Sequence, residues 1–158
     1  MKRNVAALLF AVAMVAAPSA AAQGNAADAA DMQALRAAVQ ADKKAYVATT
    51  LALTDAEAKK FWPIYDTYQR DLGLANRKRN LAIEGLVARD KPLSDLYAKS
   101  LLKDLLDADD AEVRARRAMQ SRLVKAVPPK KAARYLQIES KIRAAQAYDI
   151  AVAFPLVK

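Results

Sequence analysis

Cysteine and histidine are both missing from the 158 residues, and glycine occurs only three times. Without cysteine the fold has no disulfide and must rest on apolar packing; a lipid-anchored N-terminal cysteine is excluded as well. Without histidine the chain also loses the side chain that most often moves protons near neutral pH. Together the two absences remove the common zinc and copper ligands and the Cys-His and Ser-His nucleophile systems. Catalysis would have to use carboxylates, lysine, tyrosine or hydroxyls, so the chain is read as a non-enzyme with no cofactor, and any metal would need an all-oxygen site. The cluster Asp107, Asp109, Asp110 and Glu112 is the one candidate for such a site, but its spacing matches neither a calcium loop nor a catalytic carboxylate pair.

Most of what the chain does contain is alanine, charge and helical periodicity. Lys2 and Arg3, the apolar run Val5 to Ala17, Pro18 and the triplet Ala20, Ala21, Ala22 have the layout of a signal peptide spanning 1–22 and cut after Ala22. The alternative is an anchor that stays attached, but the run is short for a span and no second one follows. The expected location is therefore the periplasm. Loss of Lys2 and Arg3 lowers the formal charge from +9 to +7. Such a charge on an exported protein favours acidic partners: unfolded or acidic protein clients, or anionic lipid and lipopolysaccharide. Nucleic acid is not an expected partner outside the cytoplasm.

Scarce glycine and the lack of β-branched runs predict an all-α domain over 31–158, preceded by a flexible leader over 23–30. A first helix is expected from Asp31 to Thr49, with Met32, Leu35, Val39 and Tyr46 on one face and Asp42 interrupting the stripe. Thr54-Asp55-Ala56-Glu57 is a capping box that fixes the start of a long second helix reaching Asp90, with Phe61, Tyr65, Tyr68, Leu72, Ala75, Ile83 and Leu86 inward. Pro63 within it should bend the helix, and Trp62 should fill core space beside the bend. Ser94 caps a third helix ending at Ala126. Its expected stripe is Tyr97 or Ala98, Leu101, Leu102, Leu105, Leu106, Val113, Met119, Leu123 and Val127. Its charges are segregated, with Asp104, Asp107, Asp109, Asp110 and Glu112 ahead of Arg114, Arg116, Arg117, Arg122 and Lys125, and with intrahelical pairs Asp110–Arg114 and Glu112–Arg116 at i, i+4. Pro129 opens a fourth helix through Tyr135, Leu136, Ile138, Ile142 and Ala145 to Val152, and the apolar tail from Phe154 to Val157 should dock on the bundle.

Leu53-Thr54-Asp55-Ala56-Glu57 resembles the Leu-Thr-x-x-Gln motif of the periplasmic Spy/CpxP group, with Glu57 in place of Gln. The second copy expected at the last helix keeps only the helix start, at Ala126 to Lys131. The resemblance implies an extended helical hairpin or bundle pairing into a curved homodimer, and a role as an ATP-independent chaperone or as an envelope-stress sensor that contacts a kinase periplasmic domain. The candidate partner-binding residues, chosen for charge, are Arg77, Lys78 and Arg79 on the second helix, Arg114, Arg116, Arg117 and Arg122 on the third, and Lys130, Lys131 and Arg134 on the fourth. The alternative is an envelope-associated structural protein whose basic face holds anionic lipid or lipopolysaccharide.

Overall fold

The computed structural model describes residues 20–154 and 156, with side chains from residue 31 onward. Four helices make up the fold: α1 (Ala20–Leu51), α2 (Asp55–Val87), α3 (Asp95–Ala126) and α4 (Pro129–Ala153). Contacts between them set their directions. Lys44 and Lys43 on α1 reach Asp66 and Gln69 on α2, while Arg36 and Lys43 reach Asp149 and Glu139 on α4. In both cases rising numbers on one helix meet falling numbers on the other. Likewise Arg79 pairs with Glu112, and Gly85 lies against Tyr97, so α2 and α3 are antiparallel. The two-residue link Val127-Pro128 turns α4 back along α3. The result is an up-down-up-down bundle.

Local chemistry sets the boundaries. At α2 the Glu57 amide donates to Thr54 Oγ1 (3.3 Å) and the Thr54 amide to Glu57 Oε2 (2.8 Å), which is the expected capping box. Ser94 caps α3 by accepting from the Tyr97 amide at 3.3 Å. Pro129 stands at the first position of α4, where a missing amide costs nothing. The α1–α2 turn is made by Ala52 at φ 45°, a left-handed conformation that glycine usually supplies.

Two features of the helices differ from what the sequence led us to expect. The helix expected to begin at Asp31 extends back to Ala20, in keeping with the alanine content of residues 23–30. The signal-peptide run Val5 to Ala17 lies outside the described residues. Pro63 sits within the unbroken run of α2, and among the described helices a residue with non-helical dihedrals interrupts the course at Asp42 in α1 (φ −161°, ψ 99°). There the Asp42 carboxylate accepts from the Ala45 amide at 2.9 Å, capping the second half of α1 much as Thr54 caps α2. Pro63 is exposed, so its missing amide leaves no buried carbonyl to satisfy.

The core sits at the end of the bundle where α1 joins α2 and α3 joins α4. Phe61, Tyr65 and Tyr68 from α2 meet Tyr135, Ile138 and Ile142 from α4, Met119, Leu123 and Val127 from α3, and Val47 and Leu51 from α1. Phe61 and Tyr135 pack edge to face with centroids 5.1 Å apart. Trp62 is half-buried, edge-on to Phe61 and Tyr65, and the Lys44 ammonium lies 5.1 Å from its ring centre. Toward the α2–α3 turn, burial thins to Ala75, Leu86, Leu101 and Ala108.

On α3 the buried stripe differs from the expected one. Leu102 (61% exposed) and Leu106 (63%) face solvent and Val113 is half-buried, whereas Ala108, Glu112 and Ala115 are inside. Leu101, Met119 and Leu123 fix the inward direction, and Leu102 and Leu106 fall about 100° or more away from it. The expected docking of the tail is met by Phe154, which is half-buried, but not by Leu156, which is almost fully exposed. Pro155 and Val157 lie outside the described residues.

Candidate functional site

Ion pairing divides the ten sequence-predicted basic residues into two sets. Lys78 bonds Asp107 at 2.8 Å and lies 3.8 Å from Asp104. Arg79 reaches Asp109 at 2.7 Å and Glu112 at 2.9 Å. Lys131 bonds Glu57 at 2.6 Å and the Ala52 carbonyl at 2.9 Å, closing the α1–α2 turn onto α4. These three cations are occupied in holding helices together. Arg77, Arg114, Arg116, Arg117, Arg122, Lys130 and Arg134 form no ion pair among the described residues. Neither predicted intrahelical pair, Asp110–Arg114 or Glu112–Arg116, forms; Glu112 turns inward and bonds Arg79 and Arg143 of the other helices instead.

The antiparallel arrangement gathers unpaired cations at one end of the bundle. Arg122 and Lys125 close α3, Lys130 and Arg134 open α4, and Lys59 and Lys60 belong to the first two turns of α2; all six are exposed. Half of α3 away lie Asp104, Asp107, Asp109 and Asp110. Lys103 and Lys78 both donate to the Asp107 carboxylate, which holds its pKa down at about 2. Much of the acidic half is thus neutralised internally, whereas the basic end is not. The bundle carries its excess positive charge at the end where the aromatic core lies.

Two polar arrangements escaped sequence reasoning. Glu112 is buried in the α3 stripe and accepts from Arg79 of α2 and Arg143 of α4, so three helices meet on one carboxylate. Burial works to raise its pKa, but the bonds from Arg79 and Arg143 outweigh that and hold the carboxyl below the ordinary range. The group borders a cleft of about 590 Å³ between α2, α3 and the end of α4, where Leu72, Ile150 and Phe154 supply apolar wall. The second arrangement surrounds Glu139, which is 2% exposed. It pairs with Lys43 of α1 at 3.0 Å and accepts from Gln69 of α2 (3.2 Å) and from the neighbouring Tyr135 hydroxyl (3.1 Å). Burial first, and then the Glu139 charge, push the Tyr135 phenol far above its usual value; Tyr65 is raised to about 12 for the same reasons. A charge at a position that helical phase assigns to the core was the available signal in both cases. Glu139 lies between Tyr135 and Ile142 on one face, and Glu112 between Ala108 and Ala115.

Among the described residues no group of three or more acidic, cysteine or histidine side chains is arranged to hold a metal ion, and no helix is long and apolar enough to cross a membrane. The carboxylates Asp107, Asp109, Asp110 and Glu112 do not converge as a set: Asp107 faces Lys78 and Lys103, whereas Asp109 and Glu112 share the Arg79 guanidinium, and Glu112 also meets Arg143. No family model, curated protein or solved structure matches the chain.

Proposed function

We propose that the chain is an exported binding module that captures unfolded or acidic protein segments without nucleotide, in the manner of a chaperone or an envelope-stress sensor. The observation that supports this reading is the cluster of exposed, unpaired cations Lys59, Lys60, Arg122, Lys125, Lys130 and Arg134 at one end of the bundle. Such a patch speeds encounter with acidic chains, and apolar contact then prolongs the complex. Exposed Val124, next to this patch on α3, gives a first apolar contact.

The test is light scattering of a chemically denatured, aggregation-prone client diluted into nucleotide-free buffer at low and high salt. Near-stoichiometric protein suppresses aggregation, salt weakens the effect, and the quadruple reversal Arg122→Glu, Lys125→Glu, Lys130→Glu, Arg134→Glu abolishes it. Equal suppression by the reversed variant removes the basic end from the mechanism. Failure to suppress at any ratio, with salt-sensitive co-sedimentation on anionic vesicles, replaces the protein client by an envelope lipid surface.

A further inference from the structure

We propose that the first half of α1 is an arm that swings about Asp42, and that when closed it covers a groove on α4 fitted to an amphipathic helix carrying one cation. Asp42 is exposed, and its extended dihedrals (φ −161°, ψ 99°) break the helix there. Any residue adopts that backbone, so a change of direction at this point is unstrained. The Asp42 carboxylate accepts from the Ala45 amide at 2.9 Å, so the half that follows has its own cap and does not need the half before it. The two halves are also held very differently. After Asp42, Val47 and Leu51 are in the core, Lys43 bonds Glu139 and Gln69, and Lys44 bonds Asp66. Before it, Leu35 is the one buried side chain among the described residues. Arg36 ties the arm to α4 through Asp149 at 2.9 Å and lies 5.9 Å from the ring centre of exposed Tyr148. That ion pair is open to solvent on both sides, which screening makes weak.

Leu35 and Val39 of the arm stand over Ile142 and Ala145 of α4, which are buried, and a gap of about 120 Å³ remains between the two helices. The closed fit is incomplete in a second respect: Arg36 Nε is buried without a hydrogen-bond partner among the described residues. Gln146 and Asp149 line both this gap and the larger cleft bounded by Ile150 and Phe154. Release of the arm therefore opens one continuous groove along α4 from Ile142 to Phe154. The arm itself identifies the chemistry of the partner. Met32, Leu35 and Val39 form an aliphatic stripe at steps of three and four, and Arg36 reaches the acidic Asp149 beside it. A partner helix with aliphatic residues at i, i+3 and i+7 and Arg or Lys at i+4 makes the same contacts in the arm's place. This groove lies at the opposite end of α4 from Lys130 and Arg134 and prefers a cationic helix, so the inference does not depend on the capture of acidic clients.

Because the chain has no cysteine, one introduced thiol reports on opening. Ala145→Cys lies under the arm, whereas Ala132→Cys lies in the core near the start of α4. In the full chain a maleimide should label Ala145→Cys at least about tenfold faster than Ala132→Cys, because swinging the arm requires less than global unfolding. Leu35→Ala should speed labelling of Ala145→Cys about tenfold. Val47→Ala, in the anchored half, should speed only Ala132→Cys, since its packing is kept when the arm opens. Ala37→Gly, on the exposed side of the arm, weakens the helix without touching α4 and should leave Ala145→Cys labelling unchanged if the arm moves as a helix rather than melting. A peptide of residues 31–41 should protect the Ala145→Cys thiol of the Leu35→Ala chain, and the same peptide carrying Arg36→Glu should not. Equal labelling of the two thiols, acceleration of Ala145→Cys by Val47→Ala or Ala37→Gly, or equal effects of the two peptides would each overturn the proposal.

Discussion

Replacing Glu112 by glutamine should remove the strongest polar tie between α2, α3 and α4. The wild-type carboxylate accepts from Arg79, whose side chain is 15% exposed, and from Arg143, which is 34% exposed. A hydrogen bond to a charged group contributes about 1.5–3 kcal/mol; the Arg143 bond is reduced by solvent screening to about half of that. Glutamine can accept from one guanidinium, but its amide then presents a donor to the other. The expected loss at pH 7 is about 2–3 kcal/mol, a fall in Tm of roughly 6–12 °C for a domain of this size. Urea melts followed by the fluorescence of Trp62, the single tryptophan, measure it directly. Because the folded-state pKa of Glu112 is depressed, its stabilising contribution is fully present above the ordinary carboxyl value of 4.5 and is lost as pH falls through the folded value. The gap between wild type and Glu112→Gln should therefore be widest at neutral pH and shrink below pH 4.5. A loss under about 0.5 kcal/mol at pH 7, or a gap of equal size at pH 3, would refute the assignment of Glu112 as a charged three-helix tie.

Lys43→Met strands the buried Glu139 carboxylate and should cost about 2–4 kcal/mol in chemical denaturation, whereas Lys43→Met with Glu139→Leu should recover much of that loss. If the double variant is as unstable as the single, the penalty comes from packing and not from an unpaired charge. Ala52→Gly should raise stability by about 0.5–1 kcal/mol by relieving the left-handed turn; a decrease would mean that the φ of 45° carries no strain. Thr54→Ala should lower it by about 1 kcal/mol, and amide exchange at Glu57 should speed up as its acceptor is removed. Phe61→Ala, at a site with no exposure and aromatic neighbours on two helices, should cost about 3–5 kcal/mol, with near-UV dichroism losing intensity.

Local rules carried the sequence reading well where the physics is local. Thr54 and Glu57, Ser94 and Pro129 mark the starts of α2, α3 and α4 because caps and proline positions depend on only a few neighbouring backbone groups. The inward stripe of α2 was legible for the same reason: its large side chains recur on one face, and all but Ile83 of the expected set are buried. On α3, apolar residues occur around more than one face, so periodicity allowed Leu102 and Leu106 inside, and only the position of α2 and α4 decided that they stay out.

The fate of the charges was tertiary throughout. Sequence spacing offered Glu112 to Arg116 and Asp110 to Arg114, each worth a few tenths of a kcal/mol on an exposed helix. In the bundle Glu112 is buried, where a charge left without strong partners is far more costly, and it takes the guanidiniums of Arg79 and Arg143 instead. The candidate site divides along the same line. Composition by itself established a basic, all-helical chain without cysteine or histidine chemistry. Which cations hold the fold together, as Lys78, Arg79 and Lys131 do, and which stand free at its basic end, depends on distances between residues dozens of positions apart, and those exist only once the helices have packed.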